Sequence, residues 1–108
     1  MSDLHPIDRL FAIVESRKGA AAETSYTASL LKAGVSRCAK KFGEESVEAA
    51  LAAATGDTAG TVAESADVLY HLLVMWVAAG ISPSEVYAAL AKREGQSGLE
   101  EKASRGKA

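Results

Sequence analysis

After Asp67 the chain carries no Asp, Glu, Lys or Arg until Glu85. Residues 68–79 read Val-Leu-Tyr-His-Leu-Leu-Val-Met-Trp-Val-Ala-Ala, which on a helix is apolar on every side. A helix without a polar face needs cover all round and belongs in the middle of a structure. The rest of the 108 residues must be arranged around it, and a chain of that length makes one domain with one modest core. About five short helices supply too little cover for a monomer. The expectation is a single all-α domain over residues 1–108, completed as a bundle by homodimerisation with the third and fourth helices near the symmetry axis. The uncharged run is too short to span a bilayer and contains His71, so no membrane segment is expected.

Helix signals divide the chain in order. Pro6 suits a first helical position, and Ile7, Leu10, Phe11 and Val14 follow at i, i+3, i+4 and i+7. This first helix should end near Lys18-Gly19. Residues 19–25 lack periodicity and read as a mobile connector. Tyr26-Thr27 opens a short second helix that Gly34 ends. The third should run from about Ser36 to Thr55, with Val35, Cys38, Ala39, Phe42, Ser46, Ala49 and Ala53 as its packing face. Gly43 costs that helix about 1 kcal/mol relative to Ala, which suggests close approach by a partner or ligand. Asp57 or Thr58 caps the fourth helix, and Thr61 to Glu64 has the spacing of a second capping box. Ser82-Pro83-Ser84-Glu85 opens a fifth that ends near Arg93. From Gly95 to Ala108 the apolar content is too low for core, which makes a tail.

Besides the cap candidate Asp57, five carboxylates fall within twenty-four residues: Glu44, Glu45 and Glu48 on the third helix, Glu64 and Asp67 on the fourth. At about 100° per residue the first three share an arc of about 100°. Like charges so spaced cost a helix roughly 0.2–0.5 kcal/mol per pair. They are an expensive arrangement unless a cation joins them, and hard divalent cations take oxygen ligands of this kind. Arg37, Lys40 and Lys41 precede the acids on the same face, so that face suits a phosphorylated ligand with its metal; ordinary solvated lysines are the bland alternative. His71 lies one turn beyond Asp67, as a donor behind the ligands, a ligand contact or a hydrogen-bonded core histidine. Tyr70, Met75 and Trp76 read as core or dimer contacts. A di-iron bundle site needs Glu-x-x-His pairs; Glu64-x-x-Asp67 stands here instead, which favours magnesium.

Other classes are excluded. A net charge of −2 gives no nucleic-acid footprint. A single cysteine, Cys38, allows no internal disulfide framework and suits a reducing compartment. With Asp3 and His5 ahead of a short amphipathic run, no signal peptide is expected and a cytoplasmic location is. There is no Walker-type loop, Cys/His zinc spacing or Ser-His-Asp set.

Glu44-Glu45-x-x-Glu48 followed by Glu64-x-x-Asp67 resembles the metal motif of the all-α, MazG-like nucleoside triphosphate pyrophosphohydrolases. Ser25-Tyr26-Thr27, Lys40-Lys41-Phe42-Gly43-Glu44-Glu45, Glu64-Ser65-Ala66-Asp67-Val68-Leu69-Tyr70-His71 and Ser97-Gly98-Leu99-Glu100-Glu101-Lys102 are similar to the phosphoribosyl-ATP pyrophosphatase family within that superfamily. The likeness runs from about Leu4 to Arg105. It implies hydrolysis of 1-(5-phospho-β-D-ribosyl)-ATP to the AMP derivative and pyrophosphate, the second step of histidine biosynthesis. Under that resemblance Mg2+ is held by Glu44, Glu45, Glu48, Glu64 and Asp67, and Glu45 or Glu48 serves as general base. Arg37, Lys40 and Lys41 meet phosphate oxygens, with His71 also on the substrate side. Tyr26, Thr27, Lys102 and Arg105 close over the phosphoribosyl end. A house-cleaning pyrophosphatase for non-standard nucleotides would share the acidic motif without needing Tyr26-Thr27 or the tail. A nonenzymatic helical dimer would need no ordered phosphate contacts.

Overall fold

A computed structural model of the chain describes residues 4–95. It contains five helices and, among the described residues, no strand: α1 Pro6–Ser16, α2 Tyr26–Ala33, α3 Val35–Ala54, α4 Thr58–Ala79 and α5 Pro83–Glu94. The all-α expectation is met, with boundaries shifted by a residue or two. The tail beyond Gly95, with Lys102 and Arg105, lies outside the described residues.

Local chemistry sets each helix start. His5 caps α1, its Nδ1 accepting from Ile7 N–H at 3.1 Å. Ser25 caps α2 by accepting from Ala28 N–H. Asp57 Oδ1 accepts from Gly60 N–H at 2.8 Å to cap α4. A Cβ on Gly60 would collide with the Asp57 carboxylate, so a side chain there would displace the cap. The expected second capping box at Thr61 is absent: Thr61 is already helical and its hydroxyl donates to Asp57 O. Ser82 and Glu85 form the capping box of α5, with Glu85 Oε2 accepting from Ser82 N–H at 2.9 Å.

Only Thr55, Gly56 and Asp57 join α3 to α4. Gly56, at φ +78°, takes the left-handed conformation that ends a helix. Asp57 N–H returns to Ala52 O and Gly56 N–H to Ala53 O, the paired bonds of a Schellman ending. One tight turn thus closes α3 and caps α4.

α4 packs most extensively on α3, then on α1 and α2. Val14, Leu30, Cys38, Val74 and Val77 form the buried cluster, with Leu10, Phe11, Leu31, Tyr70, Met75 and Ala78 against it. Within the chain α4 is not covered all round: Val62 and Leu69 are exposed, as are Val35, Val47 and Leu51 of α3. By length and composition α4 is also the one helix among the described residues that could cross a membrane. The uncharged run after Asp67 is still too short to span a bilayer; the longer helix reaches that length only by including Glu64 and Asp67. Its Glu64 and Asp67, and its packing on three other helices, mark it as a core helix.

The packing face of α3 differs from expectation too. Cys38 is buried and Phe42, Ser46 and Ala49 are half-buried, but Val35, Ala39 and Ala53 are exposed while Lys41 and Glu45 turn partly inward. The strip facing α4 is rotated towards the charged residues. Nothing in the described chain lies within 4 Å of where a Cβ on Gly43 would stand, so no close packing inside the chain explains that glycine.

Candidate active site

The rotation of α3 puts its carboxylates at the edge of the α3–α4 interface rather than on its far side. One oxygen from each of Glu45, Glu48 and Glu64 lies within 4.8 Å of the other two. Glu64 Oε2 is buried and has no hydrogen-bond partner among the described residues. Glu48 is exposed, and its carboxyl is pushed above its ordinary value, first by Glu45 and further by the charge of Asp67, with Lys41 opposing. Three converging carboxylates, one with an orphaned buried oxygen, make an all-oxygen donor set that fits a hard cation such as Mg2+.

The other expected ligands stand apart from this trio. Asp67 acts on Glu48 and His71 through its charge. Glu44 Oε1 lies 3.4 Å from Lys41 Nζ, and the Lys41 ammonium is held above its ordinary pKa by Glu44 first and then by Tyr26. Arg37 and Lys40 are exposed and form no ion pair among the described residues.

His71 is 4% exposed, with Nε2 3.9 Å from Glu45 Oε1. Burial, then the nearby Lys41 charge, pushes its pKa below 6.5, with Asp67 opposing. The ring is therefore neutral at pH 7, and its approach to Glu45 is no ion pair. Nδ1 is buried without a partner among the described residues. Two aromatic edges enclose the imidazole: Tyr70 at 4.9 Å and Tyr26 at 6.2 Å between centroids. Tyr26 and Thr27 are the first two residues of α2. Thr27 Oγ1 lies 2.5 Å from the Tyr70 hydroxyl.

The structure thus brings Glu45, Glu48 and Glu64 together, sets Asp67 and His71 beside them, and places Lys41 and Tyr26 at the rim. Sequence reasoning did not foresee the Thr27–Tyr70 bond. The available signal was a tyrosine inside an otherwise apolar helix, whose hydroxyl needs a partner once buried.

A sequence model of the phosphoribosyl-ATP pyrophosphohydrolase family matches residues 7–94. The chain belongs to this family. The match begins one residue into α1 and ends with α5, so it spans all five helices. Curated relatives agree, each named phosphoribosyl-ATP pyrophosphatase. The chain is 55% identical to that of Parvibaculum lavamentivorans, over 97% of this chain and 96% of the relative. It is 53% identical to that of Paracoccus denitrificans, over 97% and 99%, and 52% identical to that of Azospirillum brasilense, over 92% and 89%. Membership of the pyrophosphohydrolase family makes the chain a hydrolase.

Proposed function

We propose that the chain hydrolyses 1-(5-phospho-β-D-ribosyl)-ATP to the corresponding AMP derivative and pyrophosphate, the second step of histidine biosynthesis, as a single-domain, Mg2+-dependent cytoplasmic homodimer. The observation that carries this reading is the convergence of Glu45, Glu48 and Glu64 in a chain whose relatives bear that activity's name. Mg2+, when bound, supplies charge neutralisation for the triphosphate and polarises its oxygens.

Glu45, Glu48 and Glu64 hold the cation, and Asp67 adds negative charge beside them. Glu44, paired with Lys41, restrains that ammonium on the face where phosphate oxygens arrive. Lys41, with Lys40 and Arg37, binds those oxygens. Of the two carboxylates expected as base, Glu48 is the better placed: it is open to water, whereas the Glu45 side chain is 15% exposed and lies against His71. Water attacks at the α–β anhydride, Glu48 takes its proton, and pyrophosphate leaves. Lys102 and Arg105 keep the role at the phosphoribosyl end that the family likeness implies.

The test is hydrolysis of phosphoribosyl-ATP measured beside dUTP and ordinary nucleoside triphosphates, with and without Mg2+. Preference for phosphoribosyl-ATP, lost without the metal, is expected. Equal or better turnover of dUTP would make the chain a house-cleaning enzyme, and no turnover of any of them would leave a binding protein.

A further inference from the structure

We propose that Tyr70 is a positioning residue of this site: bonded to Thr27, it fixes the first turn of α2 so that the exposed ring of Tyr26 stands perpendicular to His71 as a wall for the nucleoside end of the substrate. This rests on the hydrolase reading above and assigns a residue to that site.

The geometry is specific. Thr27 and Tyr70 are 43 residues apart in sequence, and their hydroxyls meet at 2.5 Å. Ser16, Ser29, Ser46, Thr55 and Thr61 all donate to backbone carbonyls within four residues of themselves. Among the described residues, Thr27 and Tyr70 are the only hydroxyl pair bonded between helices. The bond is part-buried, where a lost partner leaves an unsatisfied group. Further along α2, Ala28 and Leu30 are buried, so apolar packing anchors its middle. Its beginning follows irregular chain, and the Ser25 cap is internal to α2 itself. The Thr27–Tyr70 bond is the hydrogen bond that ties the first turn to α4, beside the ring contact of Tyr26 with His71.

That turn carries Tyr26, which is 56% exposed. Its ring stands perpendicular to that of His71, at 89°, and its exposure leaves ring surface on which a flat heteroaromatic ring can stack. An exposed aromatic ring next to His71, which itself lies 3.9 Å from Glu45, suits the flat base of a nucleotide. The Tyr70 ring also meets His71, at 4.9 Å between centroids; its hydroxyl acts through Thr27 and Tyr26.

The experiment uses the full chain with saturating Mg2+. Tyr70→Phe keeps the ring against His71 and deletes only the hydroxyl. It is expected to raise KM for phosphoribosyl-ATP about tenfold, on the scale of one lost hydrogen bond, while kcat falls no more than about twofold. Thr27→Val should do the same, the double variant should be no worse than either single one, and Thr27→Ser should recover most of the lost affinity. A merely structural role would lower the melting temperature without this KM-selective, coupled pattern. Hydrogen exchange at the amides of residues 27–29 is a second arm independent of turnover, and Tyr70→Phe should speed it. Unchanged KM in Tyr70→Phe, or additive effects in the double variant, overturns the proposal. Should the wild type not hydrolyse phosphoribosyl-ATP, the hydrolase reading falls and the exchange arm decides alone: faster exchange upholds the tie to α2, unchanged exchange refutes it. If Tyr70→Phe does not fold, Thr27→Val and Thr27→Ser carry both arms.

Discussion

Glu64 is where folding and chemistry pull in opposite directions. Its Oε2 is a buried acceptor with nothing among the described residues to accept from, and Asp67 stands three positions further along the same helix. Glu64→Gln keeps the size and removes one charge and one strong ligand. Mg2+-dependent hydrolysis is expected to fall by roughly two orders of magnitude or more. The metal-free fold should be as stable as wild type, or gain roughly the 0.2–0.5 kcal/mol of one relieved like-charge pair. Mg2+ should raise the melting temperature of the wild type by mass action and that of the variant much less. A variant that melts well below wild type without metal, yet keeps its turnover, would make Glu64 structural. At this scale the acids were legible, because i,i+3 and i,i+4 spacing alone puts Glu45 near Glu48 and Glu64 near Asp67. Which of them converge was not legible, since Glu44 and Glu45 are adjacent in sequence and only the rotation of α3 sends one to Lys41 and the other to the trio. The Thr27–Tyr70 bond was beyond reach for the same reason: no local pattern says which helix a hydroxyl will meet.

Among the elements, α5 is held least. It buries no residue; its described polar tie to α1 is the Tyr87 hydroxyl donating to Asp8 Oδ1 at 2.7 Å. Its capping box therefore matters more than in a well-packed helix. The N–H of Ser82, then its hydroxyl, hold the Glu85 carboxyl below its ordinary 4.5. A depressed folded-state pKa contributes stability that is present above 4.5 and is lost as pH falls through the lowered value. Exchange of the α5 amides, measured across that acidic range, should accelerate in the wild type. In Glu85→Gln it should be fast throughout, with a weaker pH dependence. Equal pH dependence in the two proteins would remove Glu85 from the cap. The start of α5 could be read directly from Ser82-Pro83-Ser84-Glu85, as could the end of α2 from Gly34. The inward strip of α3 could not. Its small residues mark a plausible packing stripe, but α4 presents His71 and Glu64 across the interface, and polar groups there bring Glu45 and Lys41 round in place of Ala39 and Ala53.

For the whole molecule, the unanswered surface is apolar. Val47 and Leu51 lie one turn apart on α3, and Val62 and Leu69 two turns apart on α4; all four are exposed, from 42% to 67%. A second copy of the chain covering them is the arrangement a core helix of this composition calls for. Sedimentation at low micromolar concentration should find dimer and no folded monomer, and Leu51→Glu combined with Val62→Glu should abolish the dimer. A stable, well-folded wild-type monomer there would remove the homodimer from the proposed function.

The three-residue turn between α3 and α4 has a consequence for how the site comes into being. Its carboxylates belong to two segments adjacent along the chain, so bringing them together costs little loop-closure entropy. Contacts of that kind form early, before distant segments dock. The nascent helical hairpin therefore meets its own charge repulsion on the way to the native state, not only at the end. A divalent cation would then act on the folding rate as well as on the folded molecule, and refolding kinetics with and without Mg2+ would show it as a steeper climb to the native state, absent in Glu64→Gln.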